Sequence, residues 1–169
     1  DGTQELRKTC KIRAGQTVNL TATSIDNRST RDTARGIEGQ SLAITADRID
    51  NTSGALRADR LLTLTSGGVI NNSGGLISSA DTLSLLDPNA ATATNSASKT
   101  LVVTNTGGTL IAGTLLTLDG KRLSGDGKVL GLRDIDVKLL DDFTHAGASA
   151  EFAANRDARL ETAGTLNNQ

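Results

Sequence analysis

Apolar and polar residues alternate along most of this chain with a period of two, as in Leu62-Thr63-Leu64 and Ile135-Asp136-Val137. A period of two places successive side chains on opposite faces of a β-strand, whereas an amphipathic helix repeats about every 3.6 residues. Clusters of Gly, Asn, Asp and Ser separate the alternating stretches and mark turns. The pattern therefore predicts many short strands joined by tight corners.

The alternating stretches recur along the chain at a spacing of about 20 residues. Two columns of equivalent apolar positions belong to one strand of each repeat, and a third column belongs to the next strand. The columns are Val18, Leu42, Leu62, Leu83, Leu116, Ile135 and Ala158; Leu20, Ile44, Leu64, Leu85, Leu118, Val137 and Leu160; and Ile25, Ile49, Ile70, Val103, Leu123, Phe143 and Leu166. A further strand is marked by Leu56, Leu76 and Leu110, which follow turn glycines. Stacked apolar columns at a fixed period are typical of a solenoid.

Three strands of about five residues, together with their corners, use up a repeat of about 20 residues. We therefore predict an all-β fold, a right-handed parallel β-helix of about seven coils with three short strands in each coil. The narrow interior of such a coil favours aliphatic side chains. This agrees with an aromatic content of 1%, in which Phe143 and Phe152 are the only large rings.

Two repeats are longer than the others. The register advances by 33 residues from Leu85 to Leu118, and segment 87–99 supplies 13 of them, so that without it the step is close to 20. The step of 24 from Leu20 to Ile44 indicates about four extra residues within segment 30–39. Both segments are polar and contain turn formers, so we expect loops outside the core.

The chain is predicted to be a single β-helix segment of a larger protein. Residues 1–15 form a ragged basic start, and residues 16–118 hold the regular repeats with their two insertions. Residues 119–169 hold divergent repeats, in which Gly125 and His145 stand where the earlier repeats have Asn.

A recurring turn motif carries a resemblance to a known family. It occurs as Ile49-Asp50-Asn51-Thr52-Ser53-Gly54-Ala55-Leu56, as Ile70-Asn71-Asn72-Ser73-Gly74-Gly75-Leu76-Ile77-Ser78 and as Asn105-Thr106-Gly107-Gly108-Thr109-Leu110-Ile111-Ala112. These copies resemble the haemagglutinin repeats of filamentous haemagglutinin and of contact-dependent growth-inhibition effectors. The resemblance implies the shaft of a large secreted bacterial surface protein, which presents adhesive regions or carries a toxin to a target cell.

The same resemblance implies the partners. They are an outer-membrane transporter of two-partner secretion during export, a receptor or glycan on a host or target-cell surface, and further β-helix coils of the same chain at both ends. Loops on a rigid scaffold are the usual place for recognition. The candidate recognition residues are accordingly the polar ones of the two insertions, Arg31, Asp32, Arg35, Asp87, Asn89, Asn95 and Lys99.

Charge and composition exclude several other classes of protein. The net charge is -1, from 18 basic and 19 acidic residues spread along the chain, which argues against a nucleic-acid partner. The chain has no apolar run of about 18 residues, so we do not expect it to insert into a membrane. One cysteine, Cys10, and one histidine, His145, give no disulfide and no zinc-ligand spacing, and we predict no cofactor or metal.

The asparagine column is the most suggestive polar pattern: Asn27, Asn51, Asn72, Asn105 and Asn168, with Gly125 and His145 in two repeats. It could be a strip that binds a ligand. A structural role is favoured, because asparagine tolerates a left-handed corner and stacked amides bond to one another along a ladder. His145 is likewise interpreted as a turn residue rather than as a catalytic base.

Other polar groups have a chemical and a structural interpretation. Asp126 and the pair Asp141-Asp142 could bind calcium, but they match no calcium motif. The basic opening could contact sulfated glycans or lipopolysaccharide, although a solvated face is favoured; its residues are Arg7, Lys8, Lys11 and Arg13. Four glycosylation sequons are attributed to chance, and their asparagines are Asn19, Asn27, Asn51 and Asn71.

Three classes of function remain open. The first is the shaft described above. A binding module that uses the two insertions is another, and this class overlaps with the shaft. The remaining class is a β-helical polysaccharide lyase or hydrolase, which needs clustered carboxylates and usually aromatic platforms for sugar rings. The carboxylates are dispersed in the sequence and the platforms are absent, so we predict no catalytic residues and no enzyme.

Overall fold

Parallel strands pair from coil to coil, and along each strand the side chains point alternately into the coil and outward. In the computed structural model, which describes residues 11–31, 35–90 and 98–168, Leu62 and Leu64 are buried, while Thr63 between them is half-exposed. Leu62 pairs with Leu42 of the coil before it and with Leu83 of the coil after it. The chain is therefore a parallel β-helix, as predicted.

The described residues contain 17 strands. Because β2 and β4 each run through two faces and β3 runs through all three, these strands form three faces of seven strand segments each. The first face contains β1 (Lys11–Arg13), the starts of β3 (Gly36–Asp50) and β4 (Ala55–Thr65), β6 (Leu76–Ser79), β9 (Thr109–Ala112), β12 (Lys128–Gly131) and β15 (Glu151–Ala154). The second face contains the start of β2 (Thr17–Asp26), the middle of β3, the end of β4, β7 (Thr82–Leu86), β10 (Leu115–Asp119), β13 (Asp134–Leu139) and β16 (Asp157–Thr162). The third face contains the ends of β2 and β3, β5 (Val69–Asn71), β8 (Val102–Thr104), β11 (Arg122–Ser124), β14 (Phe143–His145) and β17 (Leu166–Asn168).

The predicted register of the second face is confirmed at every step. Its two apolar columns are paired through all seven strands, from Val18 opposite Leu42 to Ile135 opposite Ala158. On the third face the predicted column is confirmed from Ile25 to Leu123. Each fully buried Leu, Ile or Val of these columns contributes roughly 1.5–3 kcal/mol to stability.

The first face corrects one predicted position. Leu56 pairs with Ile77, which in turn pairs with Leu110, so that Ile77 and not Leu76 belongs to this column. Ile77 is fully buried, whereas Leu76 is only partly buried. The reason is that the corner asparagines Asn51 and Asn72 are 21 residues apart, and the same step from Leu56 leads to Ile77.

The first insertion and the start of the repeats also differ from the prediction. Gly36 to Gly39 begin β3 and pair with the first face of the next coil, so this part of the predicted loop segment 30–39 is strand, and the extra residues lie before Gly36 within that segment. Ile37 occupies the inward position opposite Leu56 and is buried. The regular pairing begins at Lys11, within the segment predicted as a ragged start.

The corner between the third and first faces places its left-handed residue two positions after the asparagine. Positive φ angles occur at Ser29 (59°), Ser53 (50°), Gly74 (60°) and Gly107 (59°). The expectation that the asparagine itself takes this conformation is therefore wrong. The asparagine side chains are buried in the coil, and the residue two positions later takes the left-handed conformation of the turn.

Replacing Ser53 with glycine is expected to raise the free energy of unfolding by about 0.5 kcal/mol. A left-handed non-glycine residue costs about 1–2 kcal/mol, and the greater freedom of glycine in the unfolded chain removes part of that gain. The Ser53 N–H bond to Ser73 O, at 2.8 Å, involves only the backbone and is retained. Urea denaturation measures the change. The reverse substitution at the equivalent position, Gly74→Ser, is expected to lower stability, and a loss of stability in Ser53→Gly would contradict the strain assigned to this corner.

Candidate functional site

The asparagine column is a continuous hydrogen-bonded ladder inside the coil. Asn27 Nδ2 donates to Asn51 Oδ1 at 2.7 Å, Asn51 Nδ2 donates to Asn72 Oδ1 at 2.7 Å, and Asn72 Nδ2 donates to Asn105 Oδ1 at 2.8 Å. Asn51, Asn72 and Asn105 are at most 1% exposed. The structural role predicted for these amides is confirmed.

Each of these amides also satisfies a backbone carbonyl in the following coil. Asn51 Nδ2 donates to Leu76 O at 3.1 Å, and Asn72 Nδ2 donates to Thr109 O at 3.2 Å. Asn105 Nδ2 likewise donates to Lys128 O at 3.0 Å, although the next position in the column is a glycine. Both amide hydrogens and the side-chain oxygen of Asn72 are thus bonded within the β-helix, which leaves that side chain no free group for an external ligand.

His145 continues the column in the sixth coil and is 7% exposed. Its Nε2 lies 3.3 Å from Gly127 O, and its ring stacks on Phe143 with centroids 5.8 Å apart. Phe152 contacts the same ring edge-on at 6.3 Å. The ring is thus held in the interior as a packing residue at the end of a third-face strand, which supports the structural interpretation.

The residues of the first insertion are partly tied to the coil. Arg31 Nη1 donates to Gly74 O at 2.7 Å, and Arg57 Nη2 donates to Arg31 O at 2.9 Å. These two bonds hold the start of the insertion against the second and third coils. Arg35 is half-buried just before β3, and Asp32 lies outside the described residues.

The second insertion is closed at its base by Asp87, a buried carboxylate whose function the sequence pattern did not indicate. Asp87 Oδ1 accepts from Asn89 N at 2.8 Å, and Oδ2 accepts from Thr100 N at 2.5 Å and from Leu101 N at 2.7 Å. Asp87 is 2% exposed. One carboxylate therefore joins the two ends of the insertion.

Lys99 is likewise engaged at the base of this loop, in an ion pair with Asp119. Asn89 Nδ2 donates to Ser98 O at 3.1 Å across the loop, and Asn95 lies outside the described residues. The burial of Asp87 could have been found from its position in the repeat. It follows β7 directly, at the position where Ser66 follows β4, and Ser66 is also buried.

Replacing Asp87 with asparagine is expected to lower the free energy of unfolding by about 2 kcal/mol at pH 7, since bonds to a charged acceptor contribute about 1.5–3 kcal/mol. Burial by itself would raise the pKa of this carboxyl, but the N–H groups of Asn89, Leu101 and Thr100 outweigh burial and hold the pKa below its ordinary value of 3.8. The stabilisation is therefore complete above pH 3.8 and is lost as the pH falls through the lower pKa of the folded state.

Denaturation of both proteins as a function of pH measures this effect, and the difference between them is expected to shrink in acid. Asp26→Asn is the matched control. Its pKa is lowered to about 2 by the hydrogen bond from Arg28, but both side chains are more than half exposed, so the stability change is expected to be small. An Asp87→Asn protein as stable as the original at pH 7 would contradict the closing role of this carboxylate.

The structure distinguishes among the four sequons. Asn27 and Asn51 belong to the buried ladder, and Asn71 is half-buried, with its oxygen accepting from Ser73 and its Nδ2 donating to Thr52 Oγ1. Asn19 is exposed on the outer side of the second face. Of the four, Asn19 has the most accessible side chain in the folded chain.

A cleft between the fifth and sixth coils on the third face has a volume of about 850 Å³. It brings together Arg122 and three carboxylates that are dispersed in the sequence. Those carboxylates belong to Asp126, Asp141 and Asp142. Asp126 Oδ1 accepts from Gly107 N at 2.9 Å, and Asp142 Oδ1 accepts from Thr165 N at 2.6 Å.

The cleft carboxylates do not form a metal site in this arrangement. Within residues 11–31, 35–90 and 98–168, no three His, Cys, Asp or Glu side chains come together in a group that could hold a metal ion. The same ranges contain no helix long and apolar enough to span a membrane. The basic opening is described only from Lys11, whose Nζ lies 3.3 Å from Glu38 Oε2.

The ladders of the three faces and the buried asparagines define the class of this protein as a parallel β-helix. Comparison with known proteins gives no narrower assignment, because no family model, no curated protein and no solved structure matches the chain.

Proposed function

We propose that this chain is a shaft segment of a large secreted bacterial surface protein, either an adhesin or a contact-dependent inhibition effector. The observation that carries the proposal is the role of the turn motif. The residues that resemble haemagglutinin repeats, such as Asn72-Ser73-Gly74-Gly75, are those that build the buried ladder and its corner. The motif therefore stabilises the stacking of one coil on the next, as expected for an elongated shaft.

Recognition by this segment is proposed for the third face. The first insertion lies between the third-face end of β2 and the first-face start of β3, and the second lies between β7 on the second face and β8 on the third. Both insertions therefore border the third face, on opposite sides of it. Arg48 and Arg122 are exposed on its outer surface, in one column with Val69 and Val102.

Antibodies raised against this chain test the shaft proposal. They are expected to label intact cells of the organism that encodes it, and brief protease treatment of those cells is expected to remove the signal. Detection of the antigen only after cell lysis would overturn the proposal.

Binding of the fluorescently labelled chain to bacterial and epithelial cells tests the recognition face. Replacing residues 90–97 with a short Gly-Ser linker, while Asp87 and Lys99 are kept, is expected to reduce cell binding. Thr63→Ala on the outer side of the second face is the matched control and is expected to bind normally. Equal binding by the loop variant would remove the second insertion from the recognition surface.

A β-helical polysaccharide lyase or hydrolase is the second candidate, and the cleft is the observation that favours it. Carboxylates and an arginine in one groove are the groups that such an enzyme uses to move protons at a glycosidic linkage. Release of reducing ends from acidic polysaccharides by this chain, lost in Asp142→Asn, would support the enzyme and displace the shaft as the main function.

A further inference from the structure

The third face is interrupted between the fifth and sixth coils. Its strands form a continuous ladder through β5, β8 and β11, and β14 pairs with β17, but no ladder joins β11 to β14 among the residues described. The other two faces cross the same junction intact, through β12 to β15 on the first face and through β10 to β13 on the second. The cleft of about 850 Å³ occupies the interruption.

The sixth coil has one extra residue between its second-face and third-face strands. The second-face strands advance by 19 residues from Asp119 to its partner Lys138, whereas the buried residues Leu123 and Phe143 are 20 apart. The carbonyl of Lys121 accepts from two successive N–H groups, those of Leu140 at 3.1 Å and Asp141 at 3.0 Å.

The interior of the coil changes at the same junction. The amide ladder stops at Asn105, because the fifth coil has Gly125 in the column and the sixth has His145. The aliphatic filling gives way to a cluster of the rings of Phe143, His145 and Phe152, with centroids 5.8–6.3 Å apart. Neither the backbone ladder of the third face nor the side-chain ladder of its corner therefore crosses from the fifth coil to the sixth.

We propose that this junction is a joint built into the rod, at which the sixth and seventh coils rotate against the first five. The intact ladders of the first and second faces act as the hinge, and the third face opens and closes at the cleft. Local opening is expected where few backbone bonds must break. Among the residues described, the third-face side is held by the two bonds to Lys121 O and by the contact of His145 Nε2 with Gly127 O. The proposal does not depend on the function assigned to the chain.

Amide hydrogen exchange on the full chain tests the joint. The N–H groups of Leu140 and Asp141 are bonded to Lys121 O, so they exchange only when the seam opens, whereas Asp134 N donates to Thr114 O at 2.8 Å on the hinge side. Exchange at Leu140 and Asp141 is expected to be on the order of 100-fold faster than at Asp134. Equal rates at the three amides would mean that the two coils separate only by unfolding together, and would overturn the proposal.

Spin labels on pairs of engineered cysteines give a second test, in a chain with Cys10→Ser. The seam pair is Ser124→Cys with Thr144→Cys, and the matched control is Thr104→Cys with Ser124→Cys, which lies on laddered neighbours of the same face. All three positions are at least partly exposed, so the labels are accommodated. The seam pair is expected to give a broad or two-component distance distribution and the control a narrow one; equally narrow distributions would overturn the joint.

Discussion

Replacing Gly108 with alanine is expected to lower the free energy of unfolding by about 4 kcal/mol, a loss at the upper end of what single substitutions cause. A β-carbon at this position would lie 2.0 Å from Asn72 O and 2.5 Å from Asn105 Oδ1. Neither atom can move away, because one is backbone and the other accepts the ladder bond from Asn72. The fourth and third coils would have to separate at this corner. Thermal or urea denaturation with circular dichroism measures the loss.

Gly107→Ala is the matched control, one residue earlier. Nothing lies within 4 Å of a β-carbon at Gly107, and the cost there comes from its φ of 59° alone. A left-handed alanine costs about 1–2 kcal/mol. The two neighbouring glycines thus separate close approach from backbone conformation, and similar losses in both variants would contradict the clash assigned to Gly108.

Replacing Asn72 with alanine is expected to cost about 3–5 kcal/mol. The substitution leaves the Nδ2 group of Asn51 and the Oδ1 atom of Asn105, both buried, and the partly buried carbonyl of Thr109 each short of one bond. A buried polar group without its partner costs about 1–3 kcal/mol, and the three losses are partly shared because they occupy one network.

Asn71→Ala is the control for this substitution, because it removes an adjacent asparagine that is only half-buried. Asn71 bonds to Thr52 Oγ1 at 3.0 Å and to Ser73 on the outer side of the corner. Its loss is expected to cost about 1 kcal/mol, since water can replace these partners. If the two alanine variants had equal denaturation midpoints, the ladder would have no special part in stability.

The strand register could be predicted from sequence because a period of two and a repeat near 20 residues constrain the same positions. On the second face both constraints act together, and every predicted pair is present. Leu76 was misplaced because two adjacent apolar residues, Leu76 and Ile77, follow the corner, and alternation cannot choose between them. The step between corner asparagines makes the choice.

The candidate site was less predictable from sequence, because it lies where the regular pairing of third-face strands is interrupted. Asp126 precedes Asp141 by 15 residues, and the two line one cleft at the place where no ladder joins β11 to β14 among the residues described. The buried state of Asp87 was hidden for a similar reason. A charged residue beside a polar insertion is indistinguishable from a loop residue until its three N–H donors are brought to it by the fold.

The direction of the asparagine ladder has a consequence for how the length of such a protein changes. Each ladder asparagine from Asn51 to Asn105 accepts one bond from the coil before it and donates to the coil after it. A segment cut from one such asparagine to the next is therefore an exchangeable module with matching ends. Duplicating or deleting it would alter the reach of the rod by about 4.8 Å and leave every buried amide paired, so that a gene can vary this length by recombination between repeats.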